Sequence, residues 1–218
     1  MSRLLIFMLA LLLGACTTVP SSTVPPLPER SAEELEQLWL QHRQKIGQLT
    51  GWSLVGRIVV KTDDEGWNGE LRWSQSADEF QIEFNAPFGQ GAFQMDGNSQ
   101  VVELRLSDGQ VFSAPDAESL LLKHIGWHLP LGEFRYWVSG LPGVQSVTSK
   151  TLNNDGQLAE LKQDQWRISY PDYAAVGDVM MPRKVYFKNH DLSVRLVIDE
   201  WILNHTRKNT GQVHEERL

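Results

Sequence analysis

Apolar and polar residues alternate along several short segments of this chain, and this period of two constrains the fold more than any other feature. The alternation is clear in the segments 52–60, 67–73, 80–84, 102–106, 166–170, 185–187 and 194–198. Turn-forming residues, such as those at 63–66, separate consecutive segments. Short strands of this kind pair antiparallel and bury one face of the sheet. The sequence therefore predicts an antiparallel meander that is apolar on one side.

Three apolar stripes with helical spacing accompany the strands. The first follows a capping-box pattern at 31–34 and is predicted to end at Gly51. Its members are Leu35, Leu38, Trp39, Ile46 and Leu49. The second is predicted to begin at 113–116 and to be capped by Gly126, and the third covers 134–138. One helix, about six strands, two helices and about four strands predict an α+β fold, a curved antiparallel sheet with helices on one face.

The N-terminus predicts export and lipid attachment. Arg3 precedes an apolar run at 4–13, which is too short to span a bilayer, since a span takes roughly 20 apolar residues. The run is typical of a signal peptide, and small residues then lead to Cys16, the only cysteine. This pattern resembles the bacterial lipobox, in which the cysteine is acylated and becomes the first residue. We therefore predict a lipoprotein signal peptide at 1–15 and lipidation of Cys16.

The residues after Cys16 predict where the protein is held. Thr17 follows the cysteine, whereas an Asp there would resemble the inner-membrane retention signal of enterobacterial lipoproteins. The outer membrane, on its periplasmic side, is the favoured location. Residues 16–30 are rich in Pro, Ser and Thr and predict a lipidated, flexible tether. We expect a single folded domain at 31–203 and a polar, disordered tail at 204–218.

Composition and motifs argue against several classes of function. The net charge is −7 without clustered positive charge, so nucleic-acid binding is not expected. His124 and His128 have the spacing of metal ligands on a helix, but Gly126 lies between them and no third ligand follows. The acidic run at 63–65 is typical of a solvated turn rather than of catalytic carboxylates. There is no nucleophile elbow or phosphate-binding loop, so we expect no catalytic residue, metal or cofactor. We also expect the protein to be a monomer.

Eight Trp residues are many for 218 residues, and Trp marks large apolar contact surfaces. A sheet that curls around helices can leave an apolar cavity, which the inward residues would line. The alternative is that these residues simply pack a core, and the sequence leaves both possibilities open. The candidates for binding an apolar ligand are Trp52, Leu54, Ile58, Trp67, Leu71, Trp73, Phe80, Ile82, Phe84, Leu121, Trp137, Trp166 and Ile168.

Three features of the sequence resemble the LolB family of outer-membrane lipoprotein receptors. They are the lipobox, the turn Asn85-Ala86-Pro87-Phe88-Gly89, and the segment 130–143 that ends in Gly140-Leu141-Pro142-Gly143. The order of predicted elements is similar over 39–201. The resemblance implies an open half β-barrel with short helices as a lid over an apolar cavity. It also implies that the chain accepts acylated lipoproteins from the periplasmic carrier LolA and incorporates them into the outer membrane.

The turn after the third predicted strand carries a large aromatic residue where a polar one is usual. Pro87 restricts the backbone, Gly89 permits a tight reversal, and Phe88 stands between them, with no charge from 85 to 94. A Phe at a solvent-facing tip is costly unless it meets something apolar, such as a bilayer. We therefore predict that Pro87, Phe88 and Gly89 form a membrane-delivery loop. The alternative is that Phe88 folds back onto the sheet.

Two functions outside this family remain open. The chain could be a structural envelope lipoprotein that binds another protein or peptidoglycan. It could also carry free lipids such as fatty acids. A stable complex with LolA argues against the first, and extraction of one free lipid per protein would favour the second.

Overall fold

One antiparallel sheet dominates the computed structural model, which describes residues 30–87 and 91–205. The strands are β1 Leu49–Lys61, β2 Gly66–Ser76, β3 Glu79–Asn85, β4 Phe93–Gly97, β5 Val102–Leu106, β6 Val111–Ala114, β7 Val147–Leu152, β8 Leu158–Gln163, β9 Trp166–Val176, β10 Val179–Lys188 and β11 Ser193–His205. The helices are α1 Ala32–Gly47, α2 Ala117–His124 and α3 Leu131–Val138. This confirms the predicted α+β class.

The sheet is open, and its two edges are joined by the helical connection. The strand order is β6-β5-β4-β3-β2-β1-β11-β10-β9-β8-β7, so β6 and β7 form the edges and the first and last strands pair in the middle. Helices α2 and α3 lie between β6 and β7 in the chain and therefore lead from one edge to the other. Within the described residues the edges do not pair, which makes the sheet an open half-barrel rather than a closed one.

The period-two alternation places one face of the sheet inside. In β1, the side chains of Leu54, Ile58 and Val60 are buried while those of Arg57 and Lys61 are exposed. The inward side chains of the other strands join the same core, which also takes in residues of all three helices. The predicted meander with one apolar face is confirmed.

Helix α1 begins as predicted but ends earlier. The Ser31 hydroxyl accepts a hydrogen bond from the Glu34 backbone N at 3.2 Å, and the Glu34 carboxylate accepts one from Ser31 N at 2.8 Å, which completes the capping box. The helix ends at Gly47, so the predicted end at Gly51 is wrong, and Leu49 belongs to β1. Gly51 serves the sheet instead, because a Cβ there would lie 2.5 Å from the Gln75 carbonyl oxygen.

Of two further predicted boundaries, one is confirmed and the other is extended by strand pairing. Gly126 follows α2 with φ of +84° and donates its N–H to the Leu121 carbonyl at 2.9 Å, so the predicted helix cap is confirmed. Strand β11 continues to His205, although the tail was predicted to begin at residue 204. Asn204 pairs with Gly51 and His205 with Leu49, and this pairing extends the strand.

The sequence missed strand β7 because its burial pattern is weak. Its six residues are exposed or half-buried, since β7 is an edge strand. Five strands therefore follow the helices, where about four were predicted. An edge strand with few buried residues lacks the hydrophobic alternation on which the prediction depended.

The turn between β7 and β8 supports helix α1 through a glycine. Gly156 has φ of +73°, and a Cβ there would lie 2.3 Å from Leu38 Cβ and 2.9 Å from the Trp39 backbone N. We expect Gly156→Ala to lower the free energy of unfolding by about 2–5 kcal/mol, from backbone strain and overpacking together. Denaturant titration measures the change.

Gly177→Ala is the matched control for that substitution. Gly177 has φ of +62°, yet nothing lies within 4 Å of a Cβ at this position. This variant should lose only about 1–2 kcal/mol from the left-handed backbone. Equal losses in the two variants would show that the turn does not support α1.

Candidate functional site

A small apolar pocket lies between the inner face of the sheet and the segment that carries α2 and α3. Its volume is about 50 Å³, and all fifteen residues that line it are apolar. They are Ile58, Leu71, Trp73, Ile82, Phe93, Met95, Leu121, Trp127, Leu129, Leu131, Phe134, Val138, Phe187, Val194 and Leu196. No titratable side chain reaches this lining, so the pocket offers packing rather than acid–base or metal chemistry.

The floor and the roof of the pocket come from different parts of the chain. The floor consists of β1 to β4, β10 and β11. The opposite side of the pocket is the segment 117–138, which we call the roof and which comprises α2, the connection at 125–130 and α3. The roof is therefore one stretch of chain laid across an open sheet, and it contains no strand.

The pocket is closed in this conformation. A volume of about 50 Å³ is close to that of one or two water molecules, which occupy roughly 30 Å³ each in the liquid. Sites for drug-sized ligands have volumes of about 300–1,000 Å³. A ligand larger than a few atoms can therefore enter only if the roof moves away from the sheet.

Helix α3 is tied to the sheet by buried hydrogen bonds. The Tyr170 hydroxyl donates to the Trp137 carbonyl at 2.9 Å, and burial raises the pKa of Tyr170, so this donor stays protonated. The Trp137 indole N–H donates to Gln163 Oε1 at 2.8 Å, and Gly143 N donates to the same oxygen at 2.9 Å. Phe134 stacks on Phe187 with ring centroids 4.4 Å apart. These bonds fix the C-terminal end of the roof.

Helix α2 is held mainly by apolar contacts. Leu120 and Leu121 are buried, and His124 stacks on Phe112 of β6 with centroids 3.7 Å apart. In the described part of the chain, the side-chain hydrogen bonds and ion pairs of α2 stay within 116–128, as in the contact of His128 with Glu118 at 2.7 Å. Moving α2 therefore breaks no buried side-chain hydrogen bond to the sheet, whereas moving α3 does.

An aromatic cluster surrounds Trp127, which lines the pocket. The Trp127 ring of the roof packs edge-on against Trp67, Phe84 and Phe93 at centroid distances of 5.6, 5.5 and 5.7 Å. Phe84 ends β3 on its inner face and Phe93 begins β4, so the connection between these strands leaves the sheet beside this cluster. Pro87 in that connection is exposed.

The thirteen predicted cavity residues fall into two groups. Five line the pocket, namely Ile58, Leu71, Trp73, Ile82 and Leu121. The other eight lie in the surrounding core without lining it: Trp52, Leu54, Trp67, Phe80, Phe84, Trp137, Trp166 and Ile168. Trp52, for example, packs against Trp73 at 5.2 Å and Trp201 at 5.4 Å. The structure thus brings all thirteen to one core, but only some to the pocket wall.

Ten lining residues were absent from that prediction. They are Phe93, Met95, Trp127, Leu129, Leu131, Phe134, Val138, Phe187, Val194 and Leu196. Several of them carried a usable signal, because they lie in predicted strands or in the third helical stripe. Trp127 and Leu129 had none, since they lie in a connection without periodicity.

Some predicted sites lie outside the described residues. These are Cys16, the whole of 1–29, and Phe88 and Gly89 of the loop, as well as the tail from 206 onward. Across 30–87 and 91–205, no group of three or more His, Cys, Asp or Glu side chains is arranged to hold a metal ion. In those same ranges no helix is long and apolar enough to cross a membrane.

Known proteins resemble this chain over most of its length. Residues 50–201 match a family described as outer membrane lipoprotein LolB. The outer-membrane lipoprotein LolB of Nitrosococcus oceani is 35% identical over 202 residues, which covers 91% of this chain and 96% of that protein. The outer-membrane lipoprotein LolB of Stutzerimonas stutzeri is 32% identical over 193 residues, which covers 88% of this chain and 91% of that protein. Among solved structures, a LolA superfamily protein from Nitrosomonas europaea aligns with a TM-score of 0.49 and 9% sequence identity. The alignment covers 81% of this chain and 95% of that protein.

Proposed function

The chain belongs to the LolB family of outer-membrane lipoproteins, and on that premise we propose that it accepts acylated lipoproteins from a LolA-type periplasmic carrier and incorporates them into the outer membrane. The observation that carries the proposal is the wholly apolar pocket between the sheet and the roof. Acyl chains are the part of such a cargo that this lining fits. No catalytic step, metal or cofactor enters the proposal.

The chemistry of the pocket suits a transient hold on acyl chains. Burying apolar surface is worth about 25 cal/mol per Å², so a lipoprotein cannot leave a membrane with its chains exposed to water. A lining without polar groups binds chains non-directionally, and it releases them wherever a better apolar environment is offered. Transfer from carrier to receptor to membrane then needs no ATP, provided that each step is downhill in free energy.

The roof supplies the opening that the closed pocket requires. We propose that α2 and the connection at 125–130 swing away from the sheet while α3 stays fixed by its bonds to Gln163 and Tyr170. Without cargo the roof covers the apolar lining, so little of it meets water. An incoming acyl chain buries the same surface and thereby offsets the free-energy cost of opening.

Pro87, Phe88 and Gly89 form the proposed route from pocket to membrane. Phe88 follows Phe84 by four residues and precedes Phe93 by five, and both of these residues belong to the aromatic cluster. The neighbouring Pro87 is exposed. In this proposal Phe88 inserts at the bilayer boundary and offers departing acyl chains an apolar contact there.

Cys16 is the proposed anchor, and its modification is directly testable. Mass spectrometry of the mature protein should show an acylated N-terminal Cys16, and Cys16→Ser should abolish association with the outer membrane. Thirteen residues lie between Cys16 and Arg30, a reach of roughly 40 Å at about 3.1 Å per residue. The tether therefore lets the domain turn toward both carrier and membrane. An unmodified Cys16, or a mature chain that starts elsewhere, would refute the assignment.

Handover from a loaded carrier tests the function as a whole. The full chain is reconstituted in phospholipid vesicles and mixed with a purified LolA–lipoprotein complex. We expect the lipoprotein to leave LolA and to become resistant to carbonate extraction, whereas protein-free vesicles take up none. A stable carrier complex is not expected from a structural envelope lipoprotein. Extraction of one free lipid per protein, without handover, would favour the free-lipid carrier instead.

A further inference from the structure

An exposed and uncharged segment follows α3 and leads into the edge strand β7. All six residues of 144–149 are exposed. Val144, at 73%, is the most exposed large hydrophobic side chain of the described residues, and Val147 is 41% exposed. No charged residue occurs from 136 to 149, although 22% of the whole chain is charged and fourteen average residues would include about three. Edge strands usually carry charges that keep other surfaces away, and the start of β7 has none.

The fold holds this segment in place, so its exposure does not come from a loose chain. The Gly143 backbone N donates to Gln163 Oε1 at 2.9 Å, and Gln163 Nε2 donates to the Gln145 carbonyl. Val147 pairs with Gln163 in the sheet, and the Gln163 side chain is fully buried. Val144 therefore lies between two residues that are bonded to one buried amide. A valine held in water in this way gains free energy when an apolar surface covers it.

The segment lies at the same end of the half-barrel as the proposed delivery loop. Successive strands of the sheet run in opposite directions, so the start of β7 and the end of β3 are at one end. The connection that contains Phe88 leaves β3 there. Strand β7 is one edge of the sheet, whereas β3 is the fourth strand from the other edge. A broad flat surface can meet both segments at once, and a lipid bilayer is a surface of this kind.

We propose that the two valines of residues 143–147 insert at the boundary between headgroups and acyl chains of the outer membrane. They form a second bilayer contact beside the delivery loop, and the two contacts together determine which end of the domain faces the membrane. This inference rests on the proposed function, in which Phe88 meets the bilayer. Lys162 and Asp164, which flank Gln163, have opposite charges, so the contact depends on apolar burial rather than on the charge of the lipid.

The tether is long enough for this orientation. Arg30, which follows the tether, contacts the turn after β7, where it donates to the Asn154 carbonyl and pairs with Asp155 at 3.6 Å. The tether therefore joins the domain at the end opposite to Val144. The six residues of β7 span roughly 20 Å at about 3.3 Å each, and the tether reaches roughly twice as far. The lipid on Cys16 and the valines can thus be in one membrane.

A fluorescent label tests the contact directly. Val144→Cys adds a reactive thiol to the full chain, in which Cys16 is the only other cysteine and is acylated in the proposed mature form. The chain carries an environment-sensitive label and is held in phosphatidylethanolamine–phosphatidylglycerol vesicles that contain a doxyl-labelled phospholipid. We expect at least about threefold more quenching than in the matched Val101→Cys protein. Val101 is also exposed, at 52%, but lies at the opposite end, between β4 and β5.

A charge at the same position tests the part of the contact in delivery. Val144→Glu should accept lipoprotein from LolA as the wild type does, because Val144 does not line the pocket. It should insert about fivefold less lipoprotein into the vesicles, since a carboxylate resists burial at the boundary. Val101→Glu adds the same charge at the opposite end and should insert normally. Unchanged midpoints of unfolding show that both variants fold.

The outcomes separate this inference from the function on which it rests. Equally weak quenching at both positions, with normal insertion by Val144→Glu, overturns the second contact while the proposed function stands. If the wild type accepts no lipoprotein, the proposed function fails, and the quenching still decides whether the segment touches the bilayer. A label at position 144 that responds to LolA in the absence of lipid, and is not quenched by lipid, overturns the bilayer assignment in favour of a carrier surface.

Discussion

A Leu131→Glu variant of the full chain is expected to take lipoprotein from its LolA complex at least about tenfold less well than the wild type. Leu131 lines the pocket at the first residue of α3 and is only half-buried. A bound acyl chain would lose the apolar contact with Leu, worth about 1.5–3 kcal/mol, and would also desolvate a carboxylate. Since each 1.4 kcal/mol is a factor of ten, the loss is easily measured.

The position is chosen so that the variant still folds. A carboxylate in the first turn of a helix is favoured by the helix dipole, and partial exposure lets it stay hydrated in the closed state. The readout is the fraction of lipoprotein that leaves LolA at a fixed receptor concentration, measured beside the midpoint of unfolding. An unchanged midpoint with reduced acceptance assigns the effect to the pocket.

Gly132→Glu is the matched control for this variant. Gly132 is the next residue of the same helix turn, is exposed, and has nothing within 4 Å of a Cβ. The control adds the same charge to the same helix but outside the pocket, so it should accept lipoprotein as the wild type does. Equal losses in both variants would assign the effect to surface charge on the roof. Normal acceptance by Leu131→Glu would argue against acyl binding under this roof.

A Phe88→Glu variant is expected to show the opposite defect. It should fold and accept lipoprotein from LolA, but insert at least about tenfold less of it into vesicles. An aromatic residue at the bilayer boundary gains about 1.5–3 kcal/mol by burial, and a carboxylate reverses that gain. Acceptance is measured by loss of lipoprotein from LolA, and insertion by resistance of the lipoprotein to carbonate extraction.

Two further variants separate the aromatic contact from the added charge. Phe88→Leu keeps a large apolar side chain and should insert lipoprotein normally. Gln90→Glu places the same charge two residues away and should also insert normally if the contact with Phe88 decides delivery. If Phe88 instead packs onto the sheet, Phe88→Glu should lose a few kcal/mol of stability, and acceptance should fail as well. Normal insertion by a folded Phe88→Glu protein would end the delivery hypothesis.

The two substitutions together test the order of events. Leu131→Glu acts before cargo is held, whereas Phe88→Glu acts after it is held. The first variant should therefore leave lipoprotein on LolA, and the second should accumulate lipoprotein on the receptor. The double variant should behave like Leu131→Glu alone, because a step that receives no cargo cannot release any.

The sequence by itself determined the elements of this fold and their boundaries wherever the signal was local. Alternation over 52–60 and 194–198 predicted strands, because in any extended chain successive side chains point to opposite faces. The capping box at Ser31 and Glu34 located the start of α1, since its hydrogen bonds join residues three apart. Gly126 located the end of α2, because glycine adopts the positive φ of a helix cap without steric cost.

Only the tertiary structure decided which inward residues form the wall of the pocket. Trp52 of β1 and Trp73 of β2 both occupy inward positions of alternating strands, and their ring centroids are 5.2 Å apart. Trp73 nevertheless lines the pocket, whereas Trp52 does not. Trp127 lies in a connection without periodicity and still completes the roof. Gly51 follows the apolar helical stripe, but pairing with β2 and β11 put it in a strand. Alternation in the sequence predicts which face of the sheet a side chain occupies. The position of the roof over that face depends instead on contacts between strands far apart in the chain.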